Sequence, residues 1–147
     1  MTRRRPALLA ILLAVLALPL RADLFSQRFD FAQEKWIRLD AKSGELEIQD
    51  IRFQFPAFVG PRKMGIKGHN EATVNLKNYG TRALKVHVAV ALFDASGNLV
   101  GCGTAGNGLG SARAGERETF TVTFDHVTRN LSTAKTFYLT VESEPAG

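Results

Sequence analysis

The sequence predicts an all-β protein, an immunoglobulin-like antiparallel β-sandwich of about seven strands, with a small β-barrel as the alternative closure. Three observations predict it. Apolar residues recur at every second position over short runs, most clearly Val86, Val88, Val90 and Leu92, and only a strand puts such a set on one face. Turn chemistry punctuates the runs, as in Asp94-Ala95-Ser96-Gly97, where an Asp bonds backbone two residues on and a Gly takes positive φ. Beyond the leader, no long stretch carries helical periodicity. Short alternating strands with regular turn signals imply packed or closed sheets.

Residues 1–22 read as a secretory signal peptide. Met1 to Arg5 carries three arginines, an apolar run ALLAILLAVLAL follows, and a small residue stands at Ala22; that order is the signal-peptide pattern, with cleavage between Ala22 and Asp23. The alternative is an uncleaved anchor helix, but the apolar run falls short of the roughly 20 residues that span a bilayer. The expectation is therefore an exported protein, periplasmic or extracellular, with no stable membrane span after cleavage. No cysteine lies near the cleavage site, so a lipid anchor is not expected.

Removing the leader changes the charge balance. It holds four of the 19 basic residues and no acid, leaving 15 basic against 14 acidic groups, a net charge of +1. The basic footprint of a nucleic-acid binder is absent from that remainder. Cys102 is the single cysteine, so no intramolecular disulfide forms. The 125 residues after the leader must hold together by their core, which a chain of that size does by burying roughly two thirds of its unfolded surface. Cys102 is expected to be buried and inert, the alternative being pairing between chains.

Residues 23–44 form an aromatic-rich leader to the domain at 45–147. Phe25, Phe29, Ala32 and Trp36 fit one face of a helix, whereas Trp36 to Asp40, then Lys42-Ser43-Gly44 and Glu45 to Ile48, fit a hairpin. The segment either packs across the sandwich or engages a partner. From Glu45 to Phe55, Leu46 and Ile48 lie on one parity and Ile51, Phe53 and Phe55 on the other. A β-bulge near Gln49 and Asp50 resets the inward face, and Pro56 ends the pairing. Phe58 to Asn70 is a loop by its glycines and proline, with a basic cluster at Arg62, Lys63 and Lys67.

Glu71 to Tyr79 alternates, and Gly80-Thr81 is expected to turn it as a hairpin into the Arg82 to Gly97 strand. Asn98 to Cys102 returns as a shorter strand into a glycine-rich loop at 101–110. Arg117 to Phe124 places Phe120, Val122 and Phe124 inward with three threonines opposite. Lys135 to Glu142 places Phe137, Leu139 and Val141 inward with Thr136, Tyr138 and Thr140 opposite. The polar crossover between them, Asp125 to Ala134, has room for one helical turn.

Val90-Ala91-Leu92-Phe93-Asp94, with Gly97 after it, resembles the F-x-L-Y-D motif and following glycine of the FxLYD-type bacterial exported domains, Val90 replacing Phe and Phe93 replacing Tyr. Val74-Asn75-Leu76-Lys77-Asn78 looks like that family's strand ending in Asn. Ala114-Gly115-Glu116 looks like its Pro-Gly-Glu turn before a Phe-centred strand. The matches cover about residues 65–142. The resemblance implies an immunoglobulin-like fold and an envelope location, and gives Val90, Leu92, Phe93, Asp94, Gly97, Gly115 and Glu116 structural roles; it supplies no catalytic residues.

Residue chemistry points away from catalysis. Gly101-x-Gly103-x-x-Gly106 matches the dinucleotide spacing, but that motif needs a helix directly after it to receive the pyrophosphate, and a further glycine-rich run follows. Cys102 meets His69, His87 or His126 only if the fold brings them together. No histidine or cysteine pair has the local spacing of a metal site. The carboxylate pairs Glu45/Glu47 and Glu116/Glu118 have strand spacing on outer faces, where solvation accounts for them. The sequon Asn130-Leu131-Ser132 is a three-residue match with no further support. The expected function is a non-enzymatic protein-interaction or structural module of the cell envelope, with no cofactor, no catalytic residue and no metal ligand, its partner an envelope or extracellular protein and not nucleic acid. The alternative is a small-molecule, glycan or metal-binding periplasmic module using the 101–110 loop.

Overall fold

The computed structural model describes residues 22–55, 69–106, 111–127 and 129–147. The chain is all-β: β1 (Asp23–Asp30), β2 (Trp36–Ser43), β3 (Leu46–Gln54), β4 (Glu71–Asn78), β5 (Leu84–Phe93), β6 (Leu99–Gly106), β7 (Arg117–Thr123) and β8 (Thr136–Pro145), with a 3-10 turn at Leu131–Thr133. The strands form one antiparallel sheet in the order β1-β8-β5-β6-β7-β4-β3-β2. It curls until β1 and β2 approach each other without a hydrogen-bonded ladder. The result is a single sheet rolled into a nearly closed barrel, the alternative closure and not the two-sheet sandwich.

Two features keep a sandwich-like character inside the barrel. β6 and β7 join through a single pair, Thr104 with Thr123, so the sheet is pinched into halves β1-β8-β5-β6 and β7-β4-β3-β2. The inner faces then meet through aromatic rings. Phe137 of β8 lies edge-on to Phe53 of β3 at 5.0 Å, and Phe53 also meets Phe31 at 4.8 Å and Phe124 at 6.4 Å. Such pairs add about 0.5–1.5 kcal/mol each beyond the area they bury.

The alternation legible in the sequence is what fills this core. Val86, Val88, Val90 and Leu92 are buried, as are Phe120, Val122, Phe124, Phe137, Leu139 and Val141. β3 carries the expected bulge: Ile48 pairs with Leu76 and Asp50 with Asn75, which leaves Gln49 as the extra residue. Leu46 and Ile48 before it and Ile51, Phe53 and Phe55 after it are therefore all buried. Leu131 of the 3-10 turn closes one end of the barrel, fully buried.

Three expectations are corrected. The segment from Phe25 is strand and not helix: β1 pairs with β8 over eight consecutive residues, and a spacing of four puts Phe25 and Phe29 on one face of a strand as it would of a helix. Trp36 to Ile48 is the hairpin, with Gly44 at φ +57° in its turn. The link from β4 to β5 is not a hairpin. β4 pairs with β3 and β7 while β5 pairs with β6 and β8, so Gly80-Thr81 turns the corner between halves. Buried Asn78 fixes that corner: its Nδ2 donates to the carbonyls of Arg82 and Ala112 at 2.7 and 3.0 Å, and its Oδ1 accepts from the Gly80 amide at 2.8 Å. The glycine run is not a loop as far as Gly106, because β6 continues through it. Gly101 and Gly103 lie where a Cβ would strike Leu131 and the Thr123 backbone respectively; they are small because β6 packs closely there.

Candidate functional site

β5 is the strand around which the site is built. Its inward parity is core, and its outward parity reads Lys85, His87, Ala89, Ala91, Phe93. β8 lies on one side, with Glu142 opposite His87, Thr140 opposite Ala89 and Tyr138 opposite Ala91. β6 lies on the other, with Gly106, Thr104 and Cys102 opposite the same three residues. The small side chains of Ala89 and Ala91 leave a furrow between taller neighbours. The Thr104–Thr123 pair brings Asp125 and His126 to its far rim.

The furrow is continuous along the strand. A hollow of about 480 Å³ is bounded by Ala89, Ala91, Cys102, Asp125, His126 and Tyr138. A second, of about 560 Å³, is bounded by Leu24, His87, Ala105, Gly106 and Glu142, and the two share Ala89, Thr104 and Thr140. Leu24 on β1 is 69% exposed and Tyr138 43% exposed. The Tyr138 ring is fixed against Phe93, edge to face at 5.8 Å. Two carboxylates, Glu142 and Asp125, stand at the two ends, and among the described residues no lysine or arginine lines either hollow.

The opposite outer face has a different build. Across β3, β4 and β7 three outward side chains bond in series: Asn75 Nδ2 donates to Asp50 Oδ1 at 2.8 Å, and Thr119 Oγ1 donates to Asn75 Oδ1 at 2.8 Å. Gln49 donates to Glu47, and Arg52 lies 3.4 Å from Glu34 and 6.0 Å from the centre of the Trp36 ring. The Gln49 hydrogen bond is the main reason the Glu47 carboxyl sits below its ordinary pKa.

The residues singled out in the sequence fall apart in space. Val90 and Leu92 are core and Phe93 is on the outer face beside Tyr138. Asp94 and Gly97 make the β5–β6 turn: Asp94 Oδ1 accepts from the amides of Ser96 and Asn98 at 2.9 Å, Oδ2 accepts from Asn98 Nδ2 at 3.0 Å, and Gly97 has φ +81°. The Asn98 hydrogen bonds hold the Asp94 carboxyl below its ordinary pKa. Gly115 and Glu116 lie at the far end of β5, tied to Asn78 through Gly115 N to Asn78 O at 2.8 Å and Asn78 N to Glu116 O at 3.0 Å. Ala22 is exposed and β1 begins at Asp23. The basic cluster Arg62, Lys63 and Lys67, the leader 1–21 and the 107–110 end of the glycine run lie outside the described residues.

Cys102 is half-buried and not sealed in the core, because β6 turns it to the outer face. It shares the furrow with His126, yet no hydrogen bond joins them among the described residues, so they do not form the nucleophile–base contact of covalent catalysis. Among the described residues no three His, Cys, Asp or Glu side chains converge to hold a metal, and no helix is long and apolar enough to cross a membrane. The furrow itself was not evident in the sequence. Two alanines on the polar parity of β5 were its signal, legible only once their neighbours on β6 and β8 are known. Comparison with known protein families gives no match for this chain, and comparison with characterised proteins gives none either.

Proposed function

We infer that the protein is an exported, non-enzymatic β-domain that serves as a protein-interaction or structural module of the cell envelope, periplasmic or extracellular. The observation that carries this reading is the furrow over Ala89 and Ala91, rimmed by exposed Leu24 and Tyr138, on a molecule whose other outer face has Asp50, Asn75 and Thr119 bonded to one another. Exposed apolar and aromatic groups gathered along one concavity are the usual mark of a recognition surface. The resemblance of Val90 to Asp94, Gly97 and Gly115-Glu116 to the FxLYD-type exported domains supports the same reading. A photo-crosslinking residue placed at Ala91 in the producing cell is expected to capture a specific envelope protein, while the same residue at Lys77, on the opposite face, captures none. No adduct at Ala91 overturns the proposal.

One observation favours a second reading, a small-molecule or glycan-binding module on the 101–106 strand: each hollow falls within the roughly 300–1,000 Å³ usual for ligand sites. Thermal shift against ligand libraries tests it, since a ligand at 100 times its Kd raises stability by about 2.7 kcal/mol.

A further inference from the structure

We propose that the furrow along β5 takes an extended polypeptide segment, laid across the sheet face with small or branched apolar side chains over Ala89 and Ala91 and a lysine or arginine near each end, at Glu142 and at Asp125. This deepens the interaction reading and rests on it. The chemistry of the occupant follows from four properties of the furrow.

The first is how it can be bound. β5 and β8 are paired on both sides, so over them the furrow offers no run of free main-chain groups and recognition there is through side chains; only the β7-side edge of β6, joined to β7 at Thr104–Thr123 alone among the described residues, lacks a ladder. The second is shape. The floor is two methyl groups on an outward parity, flanked by Tyr138 and Thr140 on the β8 side and Cys102 and Thr104 on the β6 side, so small or branched side chains fit over it, and a chain reaching from Glu142 to Asp125 crosses it obliquely and passes over β6. The third is length. Glu142 and Asp125 are separated by four residues along the strand and about three strands across, about 19 Å, the reach of about six residues of extended chain. The fourth is charge. Among the described residues both fixed charges on the lining are negative and none is positive, so cations at the ends of the occupant are attracted and anions repelled, an effect on selection and rate more than on total affinity.

The test is fluorescence anisotropy on the purified full chain with two labelled heptapeptides, Lys-Val-Thr-Val-Thr-Val-Lys and its counterpart with glutamate at both ends. The lysine-ended peptide is expected to bind about tenfold or more tightly than the glutamate-ended one, with a preference that shrinks as salt screens the end charges. Glu142→Gln and Asp125→Asn are each expected to weaken it about threefold or more and to flatten the salt dependence. Ala91→Trp fills the floor and is expected to abolish binding with the circular dichroism spectrum unchanged. Ala89→Arg puts a cation in the furrow and is expected to reverse the preference toward the glutamate-ended peptide, a gain that misfolding does not produce. Equal binding of the two peptides, no binding of either, or lysine-ended binding that survives both Ala91→Trp and Ala89→Arg overturns the proposal. A specific adduct from Ala91 in cells together with no preference between peptides leaves the interaction reading standing and removes this one; no adduct removes both.

Discussion

The two outer faces of this barrel are laid over one continuous core, yet they finish their surfaces in opposite ways. Over β3, β4 and β7, side chains such as Asp50, Asn75 and Thr119 bond to each other and roof the sheet. Over β5, alanines stand where comparable side chains would be, and the sheet lies in a trough between β6 and β8. The difference teaches where recognition is possible. Polar groups bonded to each other, as Asp50, Asn75 and Thr119 are, gain little from a partner, because each new contact must replace one already made, whereas a trough of small residues has apolar surface left to cover.

The largest expected effect tests whether the two faces share one core. Phe53 of β3 packs on Phe137 of β8 across the barrel, so Phe53→Ala should cost about 3–5 kcal/mol and loosen both halves together in a urea melt. Separate transitions for the two halves would break the comparison at its base. Next is the joint between them. Gly103→Ala places a methyl against the Thr123 backbone, which cannot rotate away, and overpacking of that kind costs about 1–3 kcal/mol. Amide exchange should quicken first at β6 and β7, where one pair holds the halves together.

The third expectation sets the faces directly against each other. Asn75→Ala removes the bridge between Asp50 and Thr119 and should cost about 1 kcal/mol, whereas Ala91→Ser in the trough should stay within about 0.5 kcal/mol; matched denaturation curves separate the two. The smallest effect lies in the Asp94 turn at the end of β5. Its carboxyl pKa is lowered in the folded state, chiefly by Asn98. The stabilisation is therefore present above the ordinary aspartate pKa and is lost as pH falls through the lowered folded value. Exchange at the Ser96 and Asn98 amides should accelerate only on that acid limb, and Asp94→Asn should remove the dependence.

Much of the core was legible because a period of two needs no partner to be seen: Val86 to Leu92 and Phe137 to Val141 declare their inward faces alone. The bulge at Gln49 was legible for the same reason, as a change of parity between Ile48 and Ile51. What stayed hidden depended on neighbours. Phe25 and Phe29 satisfy helix and strand spacing alike, so β1 needed β8 to decide it. Gly80-Thr81 announces a sharp corner but not which strand lies beyond it. Gly103 reads as loop because glycine lacks strand propensity, and its reason, close approach to the Thr123 backbone, lies far along the chain. The candidate site was hidden for that cause as well: Ala89 and Ala91 form a trough only against Tyr138, Thr140 and Thr104.

The pairing of β1 with β8 has a mechanical meaning. Asp23 lies opposite Ser143 and Asp30 opposite Thr136, so the first residue of β1 and the late residues of β8 emerge at the same end of the barrel. Tension applied between those two points runs across the strands, along hydrogen bonds that in an antiparallel ladder stand perpendicular to them. The load then falls on one pair at a time, and β1 peels from β8 as a zipper opens, without the resistance of a joint loaded in shear. Held between two attachments at Asp23 and Ser143, this barrel would yield early under force, and its first response would be to bare the inner rings of Phe25 and Phe29.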